Sequence, residues 1–336
     1  MRKDFMIAGK ISETQYKRSV LKYISFNNSE VLEGASLASD CAVVKSDGDA
    51  ILASSSLMEI NSIKECDVSA ARALNAYATK GRLPKAVIIN AMLPVDFEES
   101  DIKLITKQYN DYFEKQNVEI ANIGFSYSEN IKEKPLMNLF VSGSENAYTA
   151  KKIGSVKNIK AGQKLVMTKV AAIGAGYRIY LNKSESLLDK FQKVYVNKIA
   201  KYAEKLSALP EAAVAIEHGV AAMHELSEGG VFAGLYELAM ASGLGVRAYL
   251  DKIPVAQNII ELCEHFDLNP YESESTGSML IVCDDEESLI NKLEAAGIEA
   301  SCIGEMTADN DKVIKTADGK SRFLERPKYA ELEKLF

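Results

Sequence analysis

The sequence predicts an α/β fold in two domains, on three observations. Its 336 residues are about twice what one domain usually holds, roughly 150. Runs with a helical stripe alternate with short β-rich runs along most of the chain. A polar, lysine-rich stretch without periodicity, SENAYTAKKIGSVKNIKA at 144–161, parts two halves of similar make-up. The domains are therefore placed at 1–150 and 151–336.

In the first half a helix is expected over Ser12–Ile24, with Ser12 as N-cap and Tyr16, Val20, Leu21 and Ile24 on one face. β-rich runs follow at Cys41–Val44 and Ala50–Ser54. A helix at Asp67–Lys80 is ended by Gly81, with Pro84 beyond it. Lys85–Leu93 reads as a buried strand closed by Pro94. Glu98–Gln116 is amphipathic, with Ile102, Ile105, Tyr109, Tyr112 and Phe113 on one stripe. Strands at Glu119–Tyr127 and Leu136–Ser142 complete the unit.

The second half opens with a strand at Lys164–Thr168 and a glycine-bearing loop, Ala171–Gly176, within which Gly174-Ala175-Gly176 is read as a tight turn. A long helix is expected over Glu185–Leu206, with Leu188, Phe191, Tyr195, Ile199 and Tyr202 on one face. After Pro210 come a short helix, the segment AAMHELSEGG and a helix to Ser242. Strands at Gly245–Leu250 and Ser278–Cys283, a helix at Glu286–Ala296 and a strand near Ala300–Gly304 follow. Leu332, Leu335 and Phe336 make Lys328–Phe336 a docked helix rather than a membrane anchor.

Forty basic against 47 acidic residues give a net charge of −7. With no basic block, a nucleic acid or anionic membrane is not expected as the partner. The opening MRKDFMIAGKISETQ lacks the apolar run of a signal peptide or membrane span. Cys41, Cys66, Cys263, Cys283 and Cys302 are scattered and odd in number, and His218, His224 and His265 have no metal-ligand spacing. A chain of the reducing cytoplasm fits this usage.

Chemistry concentrates in Met223-His224-Glu225-Leu226-Ser227-Glu228-Gly229-Gly230. Ser227 is placed as N-cap of the next helix, and Gly229 and Gly230 would leave its first amides open to an anion such as phosphate. From these residues alone, an ordinary capped helix with close-packing glycines is the stronger reading. Glu225 and Glu228 flank His224 and could form an acid/base group, a surface or packing role being comparable. Lys169 is read as solvated, and Gly174-Ala175-Gly176 falls short of a dinucleotide motif.

An ordered series of further segments adds to this one: ASGLGV at 241–246, KIPV at 252–255, CEHFDLNP at 263–270, STGSMLIV at 275–282 and ASCIGE at 300–305. Together they resemble the C-terminal domain of the aminoimidazole ribonucleotide (AIR) synthase superfamily. That group includes the hydrogenase-maturation carbamoyl dehydratase, selenophosphate synthetase and thiamine-monophosphate kinase. The likeness is nearest to AIR synthase-related, hydrogenase-maturation-factor-like proteins. It implies an AIR synthase-like fold: an N-terminal mixed sheet forming a homodimer and a C-terminal α/β sandwich, with ATP and magnesium in the groove between domains.

The same resemblance exposes departures in the N-terminal half. Ser39-Asp40-Cys41-Ala42 matches the family's first aspartate motif, so Asp40 is the candidate for metal and phosphate, or else caps a turn. Ser55-Ser56-Leu57 stands for Thr-Asp-Pro, and Asn75-Ala76-Tyr77-Ala78 for Asn-Asp-Ile-Ala. Ile123-Gly124-Phe125-Ser126-Tyr127 falls at the Gly-Gly-His-Thr-Glu strand end, and Gly162-Gln163 stands for Gly-Asp. Most carboxylates that would hold magnesium are thus replaced. Asp40, Asn75, Ser227, Gly229 and Gly230 are the ATP or phosphate candidates, and His224 and Glu225 the catalytic ones. The last cysteine, Cys302, is not at the C-terminus, and Lys10 has no reactive cysteine beside it, so neither the carbamoyl dehydratase nor the selenophosphate chemistry is carried over. Two readings stand: an ATP-dependent phosphoryl-activating enzyme, or a non-catalytic dimeric relative that binds a nucleotide, another anion or a protein partner. Asp47, Glu59 or Asp67 entering the groove would favour the enzyme; Phe125 and Tyr127 filling it would favour the relative.

Overall fold

The structure, a computed structural model, describes residues 13–24, 28–37, 41–46, 49–146, 155–327 and 331–336. It is an α/β molecule with two mixed sheets. The expected boundary at 150/151 and the candidate Asp40 lie outside the described residues, as do Ser12 and Asp47.

The N-terminal sheet contains β1 (Val31–Glu33), β2 (Ala42–Ser46), β3 (Asp49–Glu59), β4 (Ala86–Leu93), β5 (Glu119–Tyr127) and β6 (Leu136–Asn146), in the order β1-β2-β3-β6-β4-β5. β4 and β5 are parallel, and β6 runs antiparallel between β3 and β4. Two helices, α2 (Cys66–Ala78) and α3 (Glu99–Lys115), cover one face. A reciprocal cap opens α3, Glu98 accepting from the first turn while Asp101 accepts the Glu98 N–H. Its Ile105, Tyr109 and Phe113 are buried, and the Tyr109 hydroxyl meets Ser69 of α2 at 2.7 Å. Alanines at 70, 71, 73 and 78 bury α2 on several sides, which lets it sit between the sheet, α3 and the second half. Strand alternation leaves Val44, Ile51, Leu57, Met92 and Phe140 on the uncovered face.

Ahead of this sheet, α1 (Glu13–Tyr16) widens into a π turn at Lys17–Leu21 instead of continuing as one α-helix.

The second sheet holds β7 (Lys164–Thr168), β8 (Ala222–Glu225), β9 (Gly245–Tyr249), β10 (Met279–Cys283), β11 (Ala300–Thr307), β12 (Lys312–Lys315) and β13 (Ser321–Phe323), ordered β13-β12-β9-β11-β7-β10-β8. Helices α4 (Ile173–Leu188), α5 (Lys193–Ala200), α6 (Leu209–His218), α8 (Gln257–His265) and α9 (Glu286–Ala295) pack on the face that carries Val166, Met223 and Ile281. That core is continuous with the N-terminal one. The opposite face, with Leu165, Met167 and Leu280, is covered by α7 (Gly230–Ser242). β12 and β13 were not expected from the sequence; β13 is short and exposed, so no alternation marks it.

Two expected elements are corrected. The single helix over Glu185–Leu206 is instead the end of α4, then α5, then a 3₁₀ turn at Lys201–Lys205. Phe191 lies in the break, stacked on Tyr195 at 4.5 Å and edge-on to His265, so two short helices satisfy the spacing read as one. Gly174-Ala175-Gly176 is no tight turn, because α4 starts at Ile173 and only Ala171 and Ala172 turn ahead of it. A side chain at Gly174 would come within 2.9 Å of the Thr276 backbone nitrogen; close packing explains that glycine. The C-terminus docks as foreseen, with Leu332 buried, but through a 3₁₀ turn at Leu332–Lys334.

Candidate functional site

α2 governs the seam between the halves, since at about 100° per residue it presents different groups on different sides. Arg72, Ala76 and Lys80 follow one another at helical spacing. The Arg72 Nη2 donates to Glu228 Oε1 at 2.8 Å, and Lys80 pairs with Glu33 at 3.0 Å. Asn75, a candidate phosphate ligand, spends its amide on the other half: Nδ2 donates to the Leu206 carbonyl and Oδ1 accepts the Ala208 N–H, both at 2.8 Å. Asp67 turns elsewhere and accepts from the Tyr177 hydroxyl at 2.9 Å.

Behind this lies a buried ion network. Arg178 of α4 donates to Glu65 through Nε at 3.1 Å and Nη2 at 3.2 Å, and to Glu274 through Nη1 at 2.8 Å. Asn182 also donates to Glu65, and Thr276 to Glu274, at 2.6 and 2.7 Å. Burial would push the Glu274 carboxyl up, but Arg178 and Arg72 outweigh it and hold it below the usual carboxylate value. Burial would likewise lower the Arg72 guanidinium, yet Glu228, Glu274 and Glu225 raise it. Neither sequence periodicity nor a motif marked Glu65, Arg72, Arg178 and Glu274 as partners, because they come from three stretches far apart in the chain.

In the 223–230 segment, His224 and Glu225 are adjacent on β8 and so project to opposite faces of the sheet. His224 Nε2 lies 2.8 Å from Glu237 Oε2 of α7, in the buried layer, while Glu225 acts on Arg72 from the other side. The two do not form one acid/base group. Ser227 is not the N-cap: Gly229 caps α7 in a left-handed conformation, and Gly230 follows at φ +59°. The Gly230 N–H donates to the Ser227 carbonyl and the Phe232 N–H to that of Tyr271. A side chain at Gly230 would collide with the Ser273 carbonyl. These glycines bring the 271–273 backbone against the helix start, whose amides it partly occupies.

Lys169 is not solvated. Held at φ +55° after β7, it donates to the carbonyls of Lys205, Ser207 and Gly277 at 3.0, 2.7 and 2.8 Å and pairs with buried Glu211. Burial lowers its ammonium below the usual value despite Glu211. Lys169 and Asn75 thus grip the 205–208 segment from both halves.

The resemblance implies magnesium. Of the residues at its carboxylate positions, Ala76 lies half-buried one helical turn beyond Arg72 on α2, and Ser56 sits opposite buried Leu139. Tyr127 ends the edge strand, and Gln163 accepts the Lys160 N–H and donates to Asp284 within a turn. Phe125 packs against the helix-covered core, and Glu59 pairs with Lys134. Among the described residues no three of His, Cys, Asp or Glu are arranged to hold a metal ion. The glutamates that do converge are neutralised by arginine. The described residues do not fit magnesium.

Asn75→Ala strands a buried amide and a buried carbonyl, so urea unfolding should show a loss of about 2–4 kcal/mol; a loss under about 0.5 kcal/mol would refute the structural role. Burial chiefly raises the Asp67 carboxyl from the usual 3.8 to about 6. The folded chain then keeps a proton that the unfolded chain releases, so stability falls as pH rises through this window. Relative to wild type, Asp67→Asn should gain stability from pH 4 to pH 8, by up to about 3 kcal/mol. A pH-independent difference in urea midpoints would contradict this.

Residues 160–316 match the family described as AIR synthase related protein, C-terminal domain. A Methanocaldococcus jannaschii protein assigned to hydrogenase expression/formation is 23% identical over 261 residues, 76% of this chain and 73% of its own. The fold is similar to HypE in a HypE–HypF complex (TM-score 0.72, 18% identity, 90% of this chain and 97% of that one). It is also similar to the hydrogenase maturation protein HypE in complex with ATP (TM-score 0.68, 14% identity, 98% of each chain). No helix among the described residues is long and apolar enough to cross a membrane. The second half thus matches an AIR synthase-related C-terminal domain, and with the mixed sheet ahead of it the chain has a fold similar to that of HypE.

Proposed function

We propose that this chain is a hydrogenase-maturation-factor-like scaffold that binds a nucleotide or similar anion without magnesium and transfers no phosphoryl group. The Arg72–Glu228 ion pair across the groove carries the reading. Phosphoryl transfer needs carboxylates that hold a cation against the phosphates, and here Ala76 stands at one of the carboxylate positions, one turn from the Arg72 guanidinium. Arg72 is a fixed cation that a phosphate can engage by exchanging with Glu228, whose side chain is 32% exposed. The ATP bound by a similar fold supports the ligand class. Domains 1–150 and 151–336, and residence in the cytoplasm without nucleic acid, belong to the same proposal.

Calorimetric titration of ATP with and without magnesium tests it. Affinities within about threefold of each other are expected, together with a loss of at least tenfold in Arg72→Met. Binding that tightens tenfold or more with magnesium, or ATP turnover, would overturn it.

A second observation concerns assembly. Val44, Ile51, Leu57, Met92 and Phe140 form an uncovered apolar sheet face of the kind that marks an interface, and the resemblance implies that two such sheets pair in a homodimer. Leu57, 60% exposed, is its most prominent side chain. Sedimentation should give a dimer for wild type and a folded monomer for Leu57→Asp; a wild-type monomer at micromolar concentration would end this reading.

A further inference from the structure

Away from the Arg72–Glu228 pair, the first turn of α2, α3, α4 and the Lys201–Lys205 turn line an open pocket of about 520 Å³. It has the volume of a small-molecule site. Three polar groups give it chemistry. The Asp67 carboxylate faces it, one oxygen accepting the Val68 N–H at 2.8 Å and the other the Tyr177 hydroxyl at 2.9 Å. Among the described residues no cation forms an ion pair with Asp67, whereas neighbouring Glu65 has Arg178. The Tyr112 hydroxyl, also in the wall, is buried with no hydrogen-bond partner. A buried carboxylate without a counter-ion and a buried phenol without a partner are both costly.

The rim does not supply what is missing. Lys64 and Lys115 line it together with Asp111 and Glu204, so its charges cancel. Ser207 and Gln116 satisfy each other at 2.8 Å across the floor. Tyr112 and Tyr177 line the pocket together with Asp67, and aromatic rings suit a cation.

We propose that this cavity is a binding site for a small organic ammonium compound that also carries a hydrogen-bond acceptor, such as an amino alcohol or an amino-acid amide. The ammonium pairs with Asp67 between the two tyrosines, and the acceptor takes the Tyr112 O–H. Nothing in this depends on whether the Arg72 groove binds a nucleotide, since the two lie on different sides of α2.

Ionisation adds a signature. The charged and titratable groups facing Asp67 are Glu65 and Cys66 on its own segment, Tyr109, Asp111, Tyr112 and Lys115 on α3, Tyr177 on α4, Glu204 on the turn, and Lys64. Burial pushes the Cys66 thiol up to about 12 and raises Tyr109, Tyr112 and Tyr177. With the Asp67 carboxyl near 6, the free site is charged at pH 8 and mostly protonated at pH 5.

The experiment is calorimetric titration of the full chain with ethanolamine and leucine amide, with ethylene glycol and 1,4-butanediol as uncharged controls. At least one amine should bind below about 1 mM at pH 8 and lose tenfold or more at pH 5, with the diols silent. Asp67→Asn should abolish binding, and Tyr112→Phe, which removes only the hydroxyl, should weaken leucine amide at least threefold. Melting curves over the same pH range confirm that both variants are folded. No amine bound at 10 mM, diols bound as well as amines, or folded Asp67→Asn binding like wild type would each overturn the proposal.

Discussion

The contact on which the rest depends is the buried Glu65–Arg178–Glu274 network. Glu65 precedes α2 in the first half, Arg178 lies on α4, and Glu274 sits in the loop before β10. A guanidinium bonded to two carboxylates costs desolvation on every side, and is stable only when every partner is in place. Asn182 and Thr276 complete the hydrogen bonding. Removing one member would strand a buried charge, so the network sets how the halves meet more than it adds net stability.

Around it the seam is polar and specific. Asn75 and Lys169 hold the 205–208 backbone from opposite sides, and Arg72 closes on Glu228. The sides of α2 therefore differ in what they do. One fastens the halves, one faces the groove with positive charge, and one opens on the Asp67 cavity. A single helix can serve in all three ways because alanine fills the remaining positions and lets neighbours approach closely.

Family likeness and chemistry part company here. The matched domain keeps its segments in order, yet at the seam the Arg72 guanidinium is paired with Glu228 and alanine stands at position 76. A shared fold does not convey a shared reaction. The internal arginines answer the negative charge of the converging glutamates, which otherwise invites a divalent cation.

How much of this was legible in the sequence follows from the range of each interaction. Local rules placed α2, α3, β4, β5, β7 and β10 to within a few residues, since periodicity, glycine and proline act over one or two turns. They joined α4 and α5 wrongly, because Phe191 is held by His265 from a distant helix. They took Ser227 as a cap, since nothing local announces that the 271–273 backbone would press on Gly230. They paired His224 with Glu225, which sheet alternation then sent to opposite faces. By itself the sequence determined the element types, the fold class and the segments of the AIR synthase-related domain, all of which are short-range patterns. Only tertiary structure decided that Lys169 is buried, that Asn75 is a fastener and that Arg72 holds Glu228. The reason is physical: a charge can lie buried only where distant segments bring its partners.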